Sequence, residues 1–142
     1  MYYSDPTWPN HKHIFTGSGF TDCREYRYWD KTEKKLDWSG MMEDLCSAPP
    51  KSVIVLHACA HNPTGLDLTK EQWEKVADIC QERQLLPFFD SAYQGFASGC
   101  PDTDAWAVRW VYWLSVRCLD TDILGCQLSV LTQIPWAVCY VS

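Results

Sequence analysis

Two apolar runs joined by an amphipathic stretch fix the architecture of this 142-residue chain. The first, Ser52-Val53-Ile54-Val55-Leu56-His57-Ala58-Cys59, is continuous and rich in β-branched residues, the mark of a strand buried on both faces. Behind it, Thr69 and Gln72 form a capping-box pair, and Trp73, Val76, Ala77 and Cys80 follow at helical spacing. Leu85-Leu86-Pro87-Phe88-Phe89 then makes a second short buried strand that ends at Asp90. Strand, helix, strand with a connection this long is a βαβ unit, so the strands are parallel and the crossover right-handed. A further helix is expected from the cap Asp37 through Trp38, Met41, Met42 and Leu45 to Pro49-Pro50, and another over about 103–113. The fold class is α/β.

The flanks read differently. Residues 1–20 are rich in turn formers, with Pro6, Pro9, Gly17 and Gly19. After Trp110 the only charges are Arg117, Asp120 and Asp122, and no helical stripe holds, so residues 111–142 read as an irregular apolar tail. The charge-free stretch 123–142 has the length to cross a bilayer. Its glutamines, proline and hydroxyls point instead to a poorly specified, aggregation-prone segment. A net charge of −6 without any Lys/Arg block excludes nucleic acid and anionic membranes as partners. Eight cysteines without a C-x-x-C pair, behind a start unlike a signal peptide, read as reduced intracellular thiols, most of them small buried hydrophobes.

In a parallel α/β sheet, ligands bind outside the carboxyl ends of the strands. His61-Asn62-Pro63-Thr64-Gly65 and Asp90-Ser91-Ala92-Tyr93-Gln94-Gly95 both fall there. If the strands are neighbours, Asn62, Asp90 and Tyr93 converge on one crevice. A carboxylate at the end of an apolar strand wants a cationic partner, and a protonated pyridine nitrogen is one. Asn62 and Tyr93 could donate to an oxygen on the far side of the same ring, and the Trp8 indole could cover its face. A zinc site from His57, Cys59 and His61 is not expected, because i and i+4 of a strand lie about 13 Å apart and no four-ligand set accompanies them. His13 reads as a solvated turn residue. Ser98 lacks the setting of a hydrolase nucleophile, and Tyr26, Tyr28 and Trp29 read as strand packing.

Three stretches carry a resemblance: Pro6-Thr7-Trp8-Pro9-Asn10-His11, His57 through Gly65, and Phe88-Phe89-Asp90-Ser91-Ala92-Tyr93-Gln94-Gly95-Phe96-Ala97-Ser98-Gly99. With Asp104-Ala105-Trp106-Ala107-Val108-Arg109 they resemble, in order and spacing, the aspartate aminotransferases. These are fold-type I homodimers that use pyridoxal 5′-phosphate (PLP) to move an amino group between aspartate and 2-oxoglutarate. The likeness covers residues 1–110 and implies part of the large, PLP-binding domain, with 111–142 as a divergent tail. It implies that Trp8, Asn62, Asp90 and Tyr93 bind the cofactor: Asp90 pairs with the pyridinium nitrogen, and Asn62 and Tyr93 bond the ring oxygen. Trp8 and Asn62 would also touch the substrate carboxylate. His11 and His57 would orient Asp90 from behind. It implies a cytoplasmic enzyme, with the mitochondrial form as the alternative.

One element of that family is missing. The reaction needs a Schiff-base lysine beyond the aspartate. Lys75 is the last lysine here, and ungapped counting from Asp90 puts the family's position near Cys126. Lys70 and Lys75 are expected on the exposed side of their helix. No residue is therefore assigned the catalytic role. The expectation is an incomplete chain that binds PLP weakly and is inactive alone, as a variant transcript diverging after Trp110 would give. The alternative is a non-catalytic partner that docks with a full-length subunit.

Overall fold

The computed structural model describes residues 1–117 and 138–139, with side chains through residue 111. The position near Cys126 and most of the stretch 123–142 lie outside the described residues. Five strands form an all-parallel sheet in the order β2-β1-β5-β6-β7: β1 (Tyr2–Asp5), β2 (Arg24–Arg27), β5 (Val53–His57), β6 (Leu86–Asp90) and β7 (Val138–Cys139). Between β2 and β5 in sequence, β3 (Trp29–Asp30) and β4 (Lys35–Leu36) pair antiparallel as a separate two-stranded ribbon. The helices are α1 (Asn10–Gly17), α2 (Trp38–Ser47), α3 (Lys70–Glu82), α4 (Pro101–Asp104) and α5 (Trp106–Arg117).

The βαβ unit forms as its sequence predicts. β5 and β6 are direct neighbours, in a register that sets His57 opposite Asp90. Thr69 accepts from Gln72 N–H at 3.3 Å while the Gln72 side chain accepts from Thr69 N–H at 2.9 Å, so both orphan donors at the start of α3 are satisfied. Asp37 caps α2 by accepting from Gly40 N–H at 2.9 Å. Trp73, Val76, Ala77 and Cys80 face a core with Met41, Leu45, Ile54, Leu56 and Phe89 on one side of the sheet. Val55, on the other side, meets Met1, Tyr3 and Phe15 under α1.

Three expectations change. Residues 1–20 are not mainly turns: β1 runs through the middle of the sheet, and α1 buries His11 and Phe15 one turn apart. His13 is accordingly exposed on a helix rather than in a turn. The helix expected over 103–113 is two, α4 and α5, and α5 continues past Trp110 to Arg117. Of the cysteines with described side chains, Cys59 and Cys80 are buried, whereas Cys46 and Cys100 are exposed and Cys23 is half-buried. All five are free thiols. Tyr26 in β2 and Tyr28 just after it are packed in the core, while Trp29 in β3 is half-buried. Among the described residues no helix is long and apolar enough to cross a membrane.

Candidate active site

Register brings His57 and Asp90 side by side at the carboxyl ends of β5 and β6, and everything else in the site attaches to that pair. Asp90 is only 7% exposed. Its Oδ2 lies 2.9 Å from His11 Nε2, and since a carboxylate only accepts, the imidazole N–H donates. The Asn62 N–H on His57 Nδ1 leaves the His57 proton on Nε2, and the remaining directions are assigned from that tautomer. His11 Nδ1 accepts from the Thr7 hydroxyl at 2.8 Å, and Thr7 Oγ1 accepts from His57 Nε2–H at 3.1 Å. His57 Nδ1 accepts from the Asn62 backbone N–H at 3.4 Å. Four links thus run from the Asn62 backbone to the Asp90 carboxylate, all donating in one direction.

The second oxygen of that carboxylate is different. Asp90 Oδ1 is buried and has no hydrogen-bond partner in the structure. Burial acts to raise the Asp90 pKa, but the His11 hydrogen bond, the neighbouring imidazoles and the Ala92 backbone N–H outweigh it, and the carboxyl is held below its usual range. His57 is pushed down to about 4, first by burial and then by His11, so it serves as an uncharged link at neutral pH.

A row of rings carries the same direction. Trp8 packs edge-on against His11 with centroids 5.5 Å apart, His11 meets His57 at 5.1 Å, His57 meets His61 at 4.2 Å, and His61 stacks on Tyr28 at 3.9 Å. The 4.2 Å contact replaces the expected 13 Å separation of His57 and His61. β5 ends at His57, and the chain turns back through Ala60, which sits at φ +47°, instead of continuing extended. His61 is not a free ligand either, since its ring nitrogens bond Ser4 Oγ and Thr64 Oγ1, both at 2.8 Å. Donor atoms of His11, His57 and Asp90 lie within 4.8 Å of one another, close enough to suggest a cation. All four ring nitrogens of His11 and His57 are spent on the relay just described, and a metal would have to break it.

The side chain of Asn62 reaches Tyr93, its Nδ2 donating to the phenol oxygen at 3.5 Å. Asn62 is half-buried and Tyr93 is 42% exposed, so both open to solvent beside the buried Asp90. Trp8, Asn62, Asp90 and Tyr93 are thereby tied to one relay, with His11 and His57 behind Asp90. Four residues enter that were not singled out from the sequence: Thr7, Ser4, Asp67 and Asp104. Asp104 accepts from the N–H groups of Gly95, Ala97 and Ser98 at 2.8 to 3.1 Å, gripping the loop after Tyr93. Gly95, at φ +93°, has Pro101 Cγ only 3.2 Å from where a Cβ would stand.

Replacing Thr7 by valine should remove both of its links at nearly constant volume. Two buried ring nitrogens would lose their partners, at a cost of about 1–3 kcal/mol. Chemical denaturation measures that loss, and ring 15N spectra should show His57 no longer confined to one tautomer. An unchanged spectrum would count against the relay.

A family profile described as aminotransferase class I and II matches residues 1–124. The cytoplasmic aspartate aminotransferase of Gallus gallus is 54% identical over 110 residues, which is 78% of this chain and 27% of the relative. The solved aspartate aminotransferase from Trypanosoma cruzi superposes with a TM-score of 0.76 at 53% identity, over 77% of this chain and 28% of that one. A solved aromatic-amino-acid aminotransferase from Burkholderia pseudomallei, described as covalently bound to pyridoxal phosphate, gives 0.77 at 41% identity over 80% and 28%. The chain therefore spans little more than a quarter of the length of the proteins it matches.

Proposed function

The chain belongs to the aminotransferase class I and II family, and from that membership we propose that it carries part of the PLP-binding face of an aspartate aminotransferase. One observation supports this most: the unpartnered Asp90 Oδ1, in a buried carboxylate whose other oxygen is already held. Over nine in ten buried polar atoms in proteins find partners, so an orphan here suits a donor brought by a ligand. A protonated pyridine N–H is such a donor. When bound, PLP supplies an electron-accepting ring that stabilises negative charge at the substrate α-carbon.

The residues of this chain would orient that ring. Asp90 would hold the nitrogen protonated, and His11 would keep the carboxylate ionised and aimed. The Asn62 amide and Tyr93 phenol, separated by a long 3.5 Å contact, have capacity left for a ring oxygen between them. Trp8, braced by His11, would cover one ring face, and with Asn62 it would meet a substrate carboxylate. The substrates would be aspartate and 2-oxoglutarate, in a cytoplasmic homodimer. The 110-residue length shared with relatives is in keeping with reading 1–110 as part of the large domain, whereas the family match runs on to residue 124, into the stretch 111–142 read as a tail. Because α5 crosses that boundary without a break, the division would not be one of fold.

Lysine chemistry is absent from this stretch. No lysine follows Lys75. Lys70 lies over the Trp106 ring at 5.2 Å, and Lys75 pairs with Asp78 at 3.6 Å, so both are engaged on exposed α3 surface. The 142-residue chain should bind pyridoxamine 5′-phosphate reversibly, seen as one-to-one quenching of tryptophan fluorescence. It should give no stoichiometric borohydride-trappable adduct with PLP. Failure to bind at millimolar ligand, or trapping at one lysine, would overturn the reading.

A further inference from the structure

Asn62 has few contacts of its own that fix its side chain. Its backbone N–H reaches His57 Nδ1 only at 3.4 Å, and its amide reaches Tyr93 only at 3.5 Å. Both lie at the long end of hydrogen bonding. What precedes it is held far more firmly. Asp67 places one carboxylate oxygen 2.7 Å from the N–H of Ala60 and the other 2.9 Å from the N–H of His61. Those are short, charge-assisted bonds from one side chain to two successive backbone donors.

The turn they clasp is one that would not hold itself. Ala60 has φ +47°, left-handed backbone that a residue with a Cβ disfavours. That turn is what carries the chain from the end of β5 back over His57, so that His61 stacks on Tyr28 and Asn62 emerges toward Tyr93. The far end of the loop is secured separately, by Tyr28 OH donating to Leu66 O at 2.5 Å and Gly65 N–H donating to His61 O at 2.7 Å. Asp67 itself is exposed. Its carboxylate ties the Ala60–His61 turn to the segment that leads into α3.

Resting on the PLP reading of this site, we propose that Asp67 is a positioning residue which sets the Asn62 amide against the ring oxygen of the cofactor. Asp67 touches neither cofactor nor substrate; it acts through the Ala60–His61 turn. Losing it should therefore affect recognition of that one oxygen, and leave the Asp90 end of the ring unaffected.

The test compares two probes on the full 142-residue chain: pyridoxamine 5′-phosphate and its analogue lacking the ring 3-hydroxyl. The wild-type chain should prefer the hydroxylated probe about tenfold, a preference worth one well-placed hydrogen bond. In Asp67→Asn, nearly isosteric but with a donor now facing a donor, the preference should fall to about twofold, with the deoxy probe binding as before. Hydrogen exchange gives a readout independent of ligand. The Ala60 and His61 amides should exchange at least tenfold faster, while β5 and β6 amides stay protected. Equal weakening of both probes, a retained tenfold preference, or general loss of protection would each overturn the positioning role. Absence of binding by the wild-type chain would instead overturn the PLP reading beneath it.

Discussion

Asp90→Asn should weaken pyridoxamine 5′-phosphate binding about thirtyfold while costing the ligand-free fold only about 1 kcal/mol. The asymmetry comes from the two oxygens. Oδ2 accepts from His11 and Oδ1 accepts from nothing, in a carboxylate that is 7% exposed. A buried group left unsatisfied costs about 1–3 kcal/mol, and the ligand-free chain already bears that cost. A pyridinium N–H that fills the position makes a charge-assisted bond worth about 1.5–3 kcal/mol, roughly 10- to 150-fold in affinity. Asparagine keeps the shape but has only one oxygen. Whichever way the amide turns, its NH2 meets a donor, either His11 Nε2–H or the ligand. Without ligand the amide oxygen can keep the His11 bond but gives up its charge assistance, so stability should fall by only about 1 kcal/mol while binding falls further. Urea denaturation without ligand and fluorescence titration with it give the two halves. Wild-type affinity in the variant, or a large loss of stability, would show that Asp90 is a fold residue and not a ligand anchor.

The residues this prediction uses were legible because their chemistry is costly where they stand. An aspartate closing an apolar strand, with an asparagine and a tyrosine in the adjoining loops, needs explaining whatever the fold. The βαβ frame was legible for a related reason, since the β-branched run of β5 and the Thr69–Gln72 box are strong local signals that tertiary contacts then confirm. β1 gave no such signal. Tyr2–Asp5 is four residues, three of them buried in a row, closed by Pro6, and its place between β2 and β5 depends on partners far along the chain. α1 was hidden by its cap, for Pro9 offers no side-chain acceptor and only His11 and Phe15 mark an inward face. The 13 Å separation assumed for His57 and His61 failed because it extended β5 by four residues that in fact form the turn at Ala60. Asp67, Asp104 and Thr7 share a different reason. Each acts by bonding backbone amides or a ring, and nothing in the identity of a lone Asp or Thr announces which group it will meet.

Acidification from pH 7 to pH 5 should cost this chain roughly 3–4 kcal/mol of stability, and the two buried histidines behind the loop should account for most of it. His61 is pushed down to about 3 and His57 to about 4, in both cases first by burial and then by a neighbouring imidazole. In the unfolded chain both return to about 6.5. As pH falls below that value the unfolded state takes up two protons that the folded state refuses, so unfolding is favoured by up to about 1.4 kcal/mol per histidine per pH unit until the folded values are reached. The stabilisation is therefore complete above pH 6.5 and lost progressively down to pH 3–4. Carboxylates act in a separate window. Asp90, despite burial, and Asp44, mainly through its bond to Arg27, are held below their usual range, so their contributions begin to fail only as pH drops below about 4. Urea midpoints at pH 7, 6 and 5 measure the imidazole window alone. His61→Gln, which keeps a polar side chain between Ser4 and Thr64 but cannot titrate, should roughly halve the slope there. A midpoint that stays level from pH 7 to 5, or a slope that His61→Gln leaves untouched, would mean that these rings open to water and accept protons without disturbing the loop that carries Asn62. For a domain whose whole stability is on the order of 5–15 kcal/mol, the predicted loss is large enough to link the site's protonation to whether the chain stays folded.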